Sequence, residues 1–258
     1  MGAEMVAKKA GPAEPSDARA AGPLGISARG MELLWGEAGQ PSRGPKPGMS
    51  LARIVRAAID LADAEGMAAV SMQRVAAEFG FTTMALYRYV PGKSELIDLM
   101  VDTAVGEPPD LSAIEGGWRP KLAEWARLTL AFFHRHPWVL AEVTTRIMGP
   151  NQLGFLESAV QAMRETGLTA PEVLGSVLAV NGLVRSSAPF AGDLHRDGVN
   201  EWEQAMLELI RQHSDQFPAL TEVMAEQAAT PPSDDFEFGL QRVLDGIEVY
   251  IERRAARR

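Results

Sequence analysis

The chain has 258 residues, 46% hydrophobic and 23% charged, with a net charge of −9 and no cysteine. That length buries a real core in one or two domains, and the lack of cysteine excludes disulfides and thiolate metal sites. No stretch approaches the ~18 uninterrupted apolar residues of a membrane span, and no hydrophobic leader opens the chain, so a cytoplasmic protein without a membrane partner is expected.

The charge is unevenly placed. Residues 1–100 carry 11 Lys/Arg against 11 Asp/Glu, whereas residues 101–258 carry 14 against 23 and hold the whole acidic excess. The acidic part need not touch nucleic acid, and the neutral part remains open to it with modest non-specific affinity.

Residues 1–49 hold 15 Gly or Pro, against 26 in the other 209. Such a composition buries too little apolar surface to offset its ordering entropy, so residues 1–48 are predicted to be a disordered tail. The exception is the apolar turn Met31–Trp35 (MELLW), which has a face to dock. Arg43 and Lys46 make a short basic arm suited to a minor groove or a phosphate strand; a solvated linker fits their composition equally well.

A head is predicted over residues 49–95. Its first helix runs from the N-cap Ser50 to Glu65, with Leu51, Ile54, Val55, Ala58, Leu61 and Ala62 as its apolar stripe and Gly66 as its stop. Two shorter patterns follow in SMQRVAAEFGFTTMALYRYVPGK (Ser71–Lys93). Ser71 caps the first, Gly80 turns the chain, Thr82 caps the second, and Pro91-Gly92 ends it. Helix, glycine turn, helix is the shape whose second helix enters the DNA major groove. With Leu86 and Val90 inward, Met84 and Arg88 point outward, Ala85 and Tyr87 flank them, and Thr83 lies at the N-terminal end. A hydroxyl, apolar atoms for thymine methyls and an arginine for guanine make a groove-reading set. Lys93 and Ser94 open the next helix, where free amides favour phosphate.

That next helix, about Ser94 to Val105, links the head to residues 96–258, with Pro108-Pro109 as a break. Helices are then predicted at about 118–134, 137–148, 152–166, 171–188, 199–213, 218–228 and 235–254. No segment alternates with a period of two, so the fold class is all-α, with no sheet.

The head resembles the TetR (tetracycline-repressor-like) family of bacterial regulators. The resemblance rests on Asp63-Ala64-Glu65-Gly66, Val75-Ala76, Gly80-Phe81 and Leu86-Tyr87-Arg88-Tyr89-Val90 followed by Gly92-Lys93. It covers about residues 50–105 closely. It implies a three-helix DNA-binding head on a larger helical domain that binds an effector and dimerises. It further implies that Thr83, Met84, Tyr87 and Arg88 read bases while Tyr89, Lys93, Gln73 and Arg74 position phosphates. Many relatives carry histidine where this chain has Tyr89. The implied partners are a palindromic double-stranded operator, a small apolar effector and a second copy of the chain, and the implied role is a transcriptional repressor. The alternative is a helical binding protein without operator binding.

Other residues carry weaker signals. His134 and His136 do not share a helix face and have no completing carboxylate pattern, so they are predicted to be surface or capping residues rather than metal ligands. No nucleophile elbow, phosphate-cradling loop or carboxylate pair points to an enzyme or a cofactor. Trp125, Phe132, Phe133, Trp138, Met148, Phe155 and Met163 are core or cavity wall, and the resemblance favours a cavity wall for some of them. Asn181 and Arg185, four apart on an otherwise apolar helix, need polar partners such as a ligand or another subunit. On the last helix, Phe236, Leu240, Val243, Leu244, Ile247, Tyr250 and Ile251 form a stripe predicted to dimerise together with residues 171–188.

Overall fold

The computed structural model describes residues 27–36, 50–143, 146, 148–191, 201–229 and 234–257, and every regular element among them is helical. Serine and glycine set the ends of the head's helices. Helix α2 (Leu51–Glu65) starts where the Ser50 hydroxyl accepts the Arg53 N–H and stops at Gly66, whose φ of 79° a side chain would strain. Helix α3 (Met72–Ala77) starts on Ser71, which accepts the Arg74 N–H, and Gly80 turns the chain at φ 66°. Helix α4 (Thr83–Leu86) is shorter than predicted: hydrogen-bonded turns carry the chain through Tyr89, while Leu86 and Val90 stay fully buried in the core that also holds Ile54, Val55, Ala58 and Val75.

Helix α1 (Ala28–Trp35) contains the Met31–Trp35 turn, the exception to the predicted disordered tail, and it is docked. It begins three residues before Met31, because the Ser27 hydroxyl accepts the Gly30 N–H and donates to Glu95 Oε1 at 2.7 Å. Leu34 is buried, and Met31 and Leu33 pack beside it against helix α5 (Lys93–Val105). The glycine and proline count averages over this short amphipathic stretch, and its receiving surface, α5, lies far along the chain. Arg43 and Lys46 lie outside the described residues.

The rest is a helical bundle. Helix α6 (Trp118–Arg135) packs on α8 (Pro150–Met163) and α9 (Ala170–Ala191), and α9 packs on α12 (Asp235–Ala255). Helix α7 is only Val139–Glu142, where one over 137–148 was predicted. Helices α10 (Glu201–Gln212) and α11 (Pro218–Ala229) form a hairpin. Arg119 fastens α6 to α12 through Asp245 and Glu248, both at 2.6 Å, and Glu172 of α9 accepts from Tyr250 and Arg254 of α12.

The predicted dimer stripe on α12 needs correction. Leu240 and Leu244 are fully buried inside the chain, where α12 meets α6 and α9. The outward stripe is Phe238, Arg242, Gly246, Val249 and Arg253, with Phe238 64% exposed. Helix α9 turns Leu174, Gly175, Leu178, Ala179 and Gly182 outward.

Because Leu34 anchors α1, Leu34→Ala is expected to cost about 2 kcal/mol, lowering the unfolding midpoint by about 4–8 °C. Thermal unfolding by circular dichroism measures it; an unchanged midpoint would show that α1 adds nothing to the fold.

Candidate DNA-binding surface and effector cavity

Helix α4 and the turn after it present one polar-and-apolar side to solvent. Met84 is 73% exposed and Tyr87 43%, Arg88 is exposed, and Thr83 is half-buried at the N-terminal end. Residues 83, 84, 87 and 88 are neighbours at spacings of three and four, so they share a surface. Phe81, which the sequence reading did not single out, adds a 46% exposed ring beside Gly80. Tyr89 is half-buried and packs against the core. Lys93 and Ser94 are exposed at the start of α5, with Gly92 in the N-cap position. Gln73 and Arg74 are exposed at the start of α3, and the Arg74 guanidinium pairs with Glu65 of α2.

Two polar joints tie this head to the bundle. At one, Asp63 of α2 accepts from His136 Nδ1–H at 2.9 Å and from Trp138 Nε1–H at 2.7 Å. Trp138 is therefore not a cavity wall, and His136 is buried rather than on the surface: both have a carboxylate partner that sequence distance hides. His134 keeps a buried Nε2 with no hydrogen-bond partner among the described residues, and burial lowers its pKa. No group of three metal-binding side chains gathers among those residues.

The second joint is on α5. Asp98 is buried and takes a 2.8 Å ion pair from Arg146, whose Nε also donates to Glu142 and whose Nη1 reaches the Ser94 carbonyl. One turn on, the buried Asp102 accepts the Gln152 backbone N–H at 3.0 Å, and its own carbonyl accepts Asn151 Nδ2–H. Asp102 thus caps the N-terminus of α8 from another helix. Burial raises the pKa of both aspartates; Arg146 opposes this at Asp98, and the bonds from Gln152 and Asn151 oppose it at Asp102. Gly149 lies so close that a Cβ would stand 2.3 Å from the Asp102 carboxyl.

Behind α5, a cavity of about 230 Å³ opens among α6, α8 and α9. Trp125, Phe132, Met148, Asn181 and Arg185 line it, as do Phe133 and Phe155, whereas Met163 is fully buried core. Thr129, Gln152 and Leu178 also line it. Gln152 had a readable signal: it stands at the third position of a helix opened by Gly149-Pro150, and its Oε1 accepts the Gly149 N–H. Thr129 had none, since its hydroxyl merely donates to the Trp125 carbonyl.

A short helix with an exposed polar-and-apolar side after a glycine turn, the N-terminus of a further helix beside it and a helical bundle holding an apolar cavity are the arrangement of a helix-turn-helix DNA-binding regulator. Residues 54–100 match the family described as bacterial regulatory proteins, tetR family, and residues 109–251 match the tetracyclin repressor-like C-terminal domain. The chain belongs to the TetR family of transcriptional regulators. It is 42% identical over 242 residues to the HTH-type transcriptional repressor DrrR1 of Streptomyces coeruleorubidus, covering 89% of this chain and 88% of that protein. Among solved structures, ActR of Streptomyces coelicolor in complex with actinorhodin is similar at a TM-score of 0.65 and 26% identity, covering 79% of this chain and 96% of that one. Apo ActR matches at a TM-score of 0.67 and 23% identity, covering 81% and 100%.

The surface separates two kinds of contact. Arg88→Ala is expected to cost about 1–3 kcal/mol of operator affinity and to relax specificity at one position per half-site. Lys93→Ala should weaken all sequences alike and reduce the salt slope by about 1. Titrations of matched and mismatched operators at several salt concentrations decide it; equal, sequence-independent losses would give Arg88 a backbone role.

Proposed function

We propose that the protein is a repressor that binds a palindromic operator as a homodimer and lets go when a small, largely apolar molecule fills the cavity. The observation that carries this is α5 itself: its first residue is Lys93, on the DNA side, and its last is Val105, in the cavity wall. Thr83, Met84, Tyr87 and Arg88 would read bases, with Gln73, Tyr89 and Lys93 holding phosphates; Arg74 would have to share its guanidinium with Glu65. Trp125, Phe132, Met148, Asn181 and Arg185 would contact the effector. That DrrR1 is a repressor and that ActR has been seen with actinorhodin support both halves of the reading. No described helix is long and apolar enough to cross a membrane, and the proposed place of action is the cytoplasm, where the operator lies.

The second copy follows from what the bundle leaves uncovered. Gly175, Ala179 and Gly182 give α9 a smooth outward surface between Leu174 and Leu178, and α12 adds Phe238, Gly246 and Val249. Two such helices from each of two chains make a two-fold four-helix interface. Phe238→Glu with Val249→Glu is expected to yield a folded monomer in light scattering, since both positions are exposed within the chain. A persisting dimer would move the interface elsewhere.

A dimer reading two half-sites must hold its recognition helices about 34–36 Å apart or a multiple of that. Tilting α5 moves Lys93 and α4 together, so a ligand-favoured tilt spoils the spacing. A coupling of about 1.4–2.8 kcal/mol gives a ten- to hundredfold loss of operator affinity, and reciprocity requires operator to weaken effector binding by the same factor. Calorimetry of an effector with and without saturating operator tests this; identical affinities would rule the switch out.

A further inference from the structure

Most polar groups in the cavity wall are already engaged by the protein. The Trp125 indole N–H donates to the Phe155 carbonyl at 2.7 Å, and the Thr129 hydroxyl donates to the Trp125 carbonyl at 2.7 Å. Gln152 differs. Its side chain is 9% exposed and lines the cavity, its Oε1 is taken by the Gly149 N–H at 3.0 Å, and its Nε2 makes no hydrogen bond among the described residues. The bond from Gly149 fixes which end of the amide is oxygen, so the end left over is a donor and nothing else. Its direction is also fixed, because the Gln152 backbone N–H is fastened to Asp102 at 3.0 Å and the turn before it is pressed on the same carboxyl.

We propose that Gln152 is a specificity-determining residue of the effector site, and that the effector is a flat aromatic molecule with a carbonyl-type oxygen that accepts from Gln152 Nε2. This rests on the reading of the cavity as the effector site. The aromatic class follows from the walls: Phe132 and Phe133, tilted 49° with centroids 5.1 Å apart, and Trp125 with Phe155, tilted 51°, offer faces and edges to fused rings. The oxygen follows from a preorganised donor on a residue only 9% exposed, where a ligand without an acceptor leaves that N–H unpaired. A donor group at the same place would meet the N–H end and be rejected.

The test uses fluorenone and fluorene, one fused frame with and without a carbonyl, titrated calorimetrically into the full-length protein. Fluorenone is expected to bind about tenfold more tightly, the ordinary worth of one such hydrogen bond. In Gln152→Leu the preference should vanish while fluorene affinity is kept. Equal affinities in the unaltered protein, or a preference that survives in Gln152→Leu, would overturn the proposal while leaving the cavity reading intact. Should Gln152→Leu fail to fold, the ratio in the unaltered protein decides alone. If neither compound binds, the cavity reading itself fails and takes the proposal with it.

Discussion

The buried carboxylate of Asp102 is the constraint on which the rest of this molecule turns. It sits one helical turn from the end of α5, 6% exposed, and finishes the N-terminus of α8, a helix belonging to the bundle. Removing a carboxylate from water is costly unless hydrogen bonds replace the lost solvation, and here backbone N–H groups of another element supply part of that replacement. The head cannot move relative to the bundle without disturbing this joint or the Asp98–Arg146 pair a turn earlier. Asp63 adds a third tie, from α2 to the loop after α6. These directional polar contacts add to the apolar core that α5 shares with both the head and the bundle.

Recognition of DNA and of a small molecule use opposite physics here. The α4 surface leaves Met84 and Tyr87 in water, an apolar area that the proposed contact with bases would cover. The cavity keeps its aromatic rings out of water and spends most of its polar groups on itself. The whole −9 charge lies beyond residue 100, outside the helix-turn-helix head. Long-range repulsion of DNA by the bundle is screened within about 8–10 Å at physiological salt, so the acidic part does not hinder the head.

What the sequence made legible was whatever depends on near neighbours. Ser50, Ser71, Gly66 and Gly80 act within four residues of themselves, and each stands at the helix end expected of it. The outward set on α4 was readable for the same reason, once Leu86 fixed the inward direction. What stayed hidden depends on partners far along the chain. Trp138 looked like a cavity wall because its apolar body is visible in the sequence and Asp63, 75 residues earlier, is not recognisable as its acceptor. Leu240 and Leu244 looked like a dimer stripe because an amphipathic helix shows that it needs a partner, not which one; α6 and α9 of the same chain supply it. The MELLW turn stood out from the glycine-rich tail as able to dock, but the Ser27 cap that starts α1 three residues earlier was lost in the average composition.

Gly149 carries a consequence for how such a protein changes over generations. Its Cα faces the Asp102 carboxyl with no room for one more carbon, and the next glycine of α8, Gly154, is pressed as closely on Pro108. Neither position touches DNA, and neither lines the cavity. If the cavity works as proposed, a mutational search for variants deaf to an inducer would nonetheless be drawn to them, because a single methyl pushes α8 away from α5 at Gly149 and away from the loop after α5 at Gly154. The residues that let one helix hear another are here the smallest ones in the chain, and they leave no chemical signature beyond the space they do not fill.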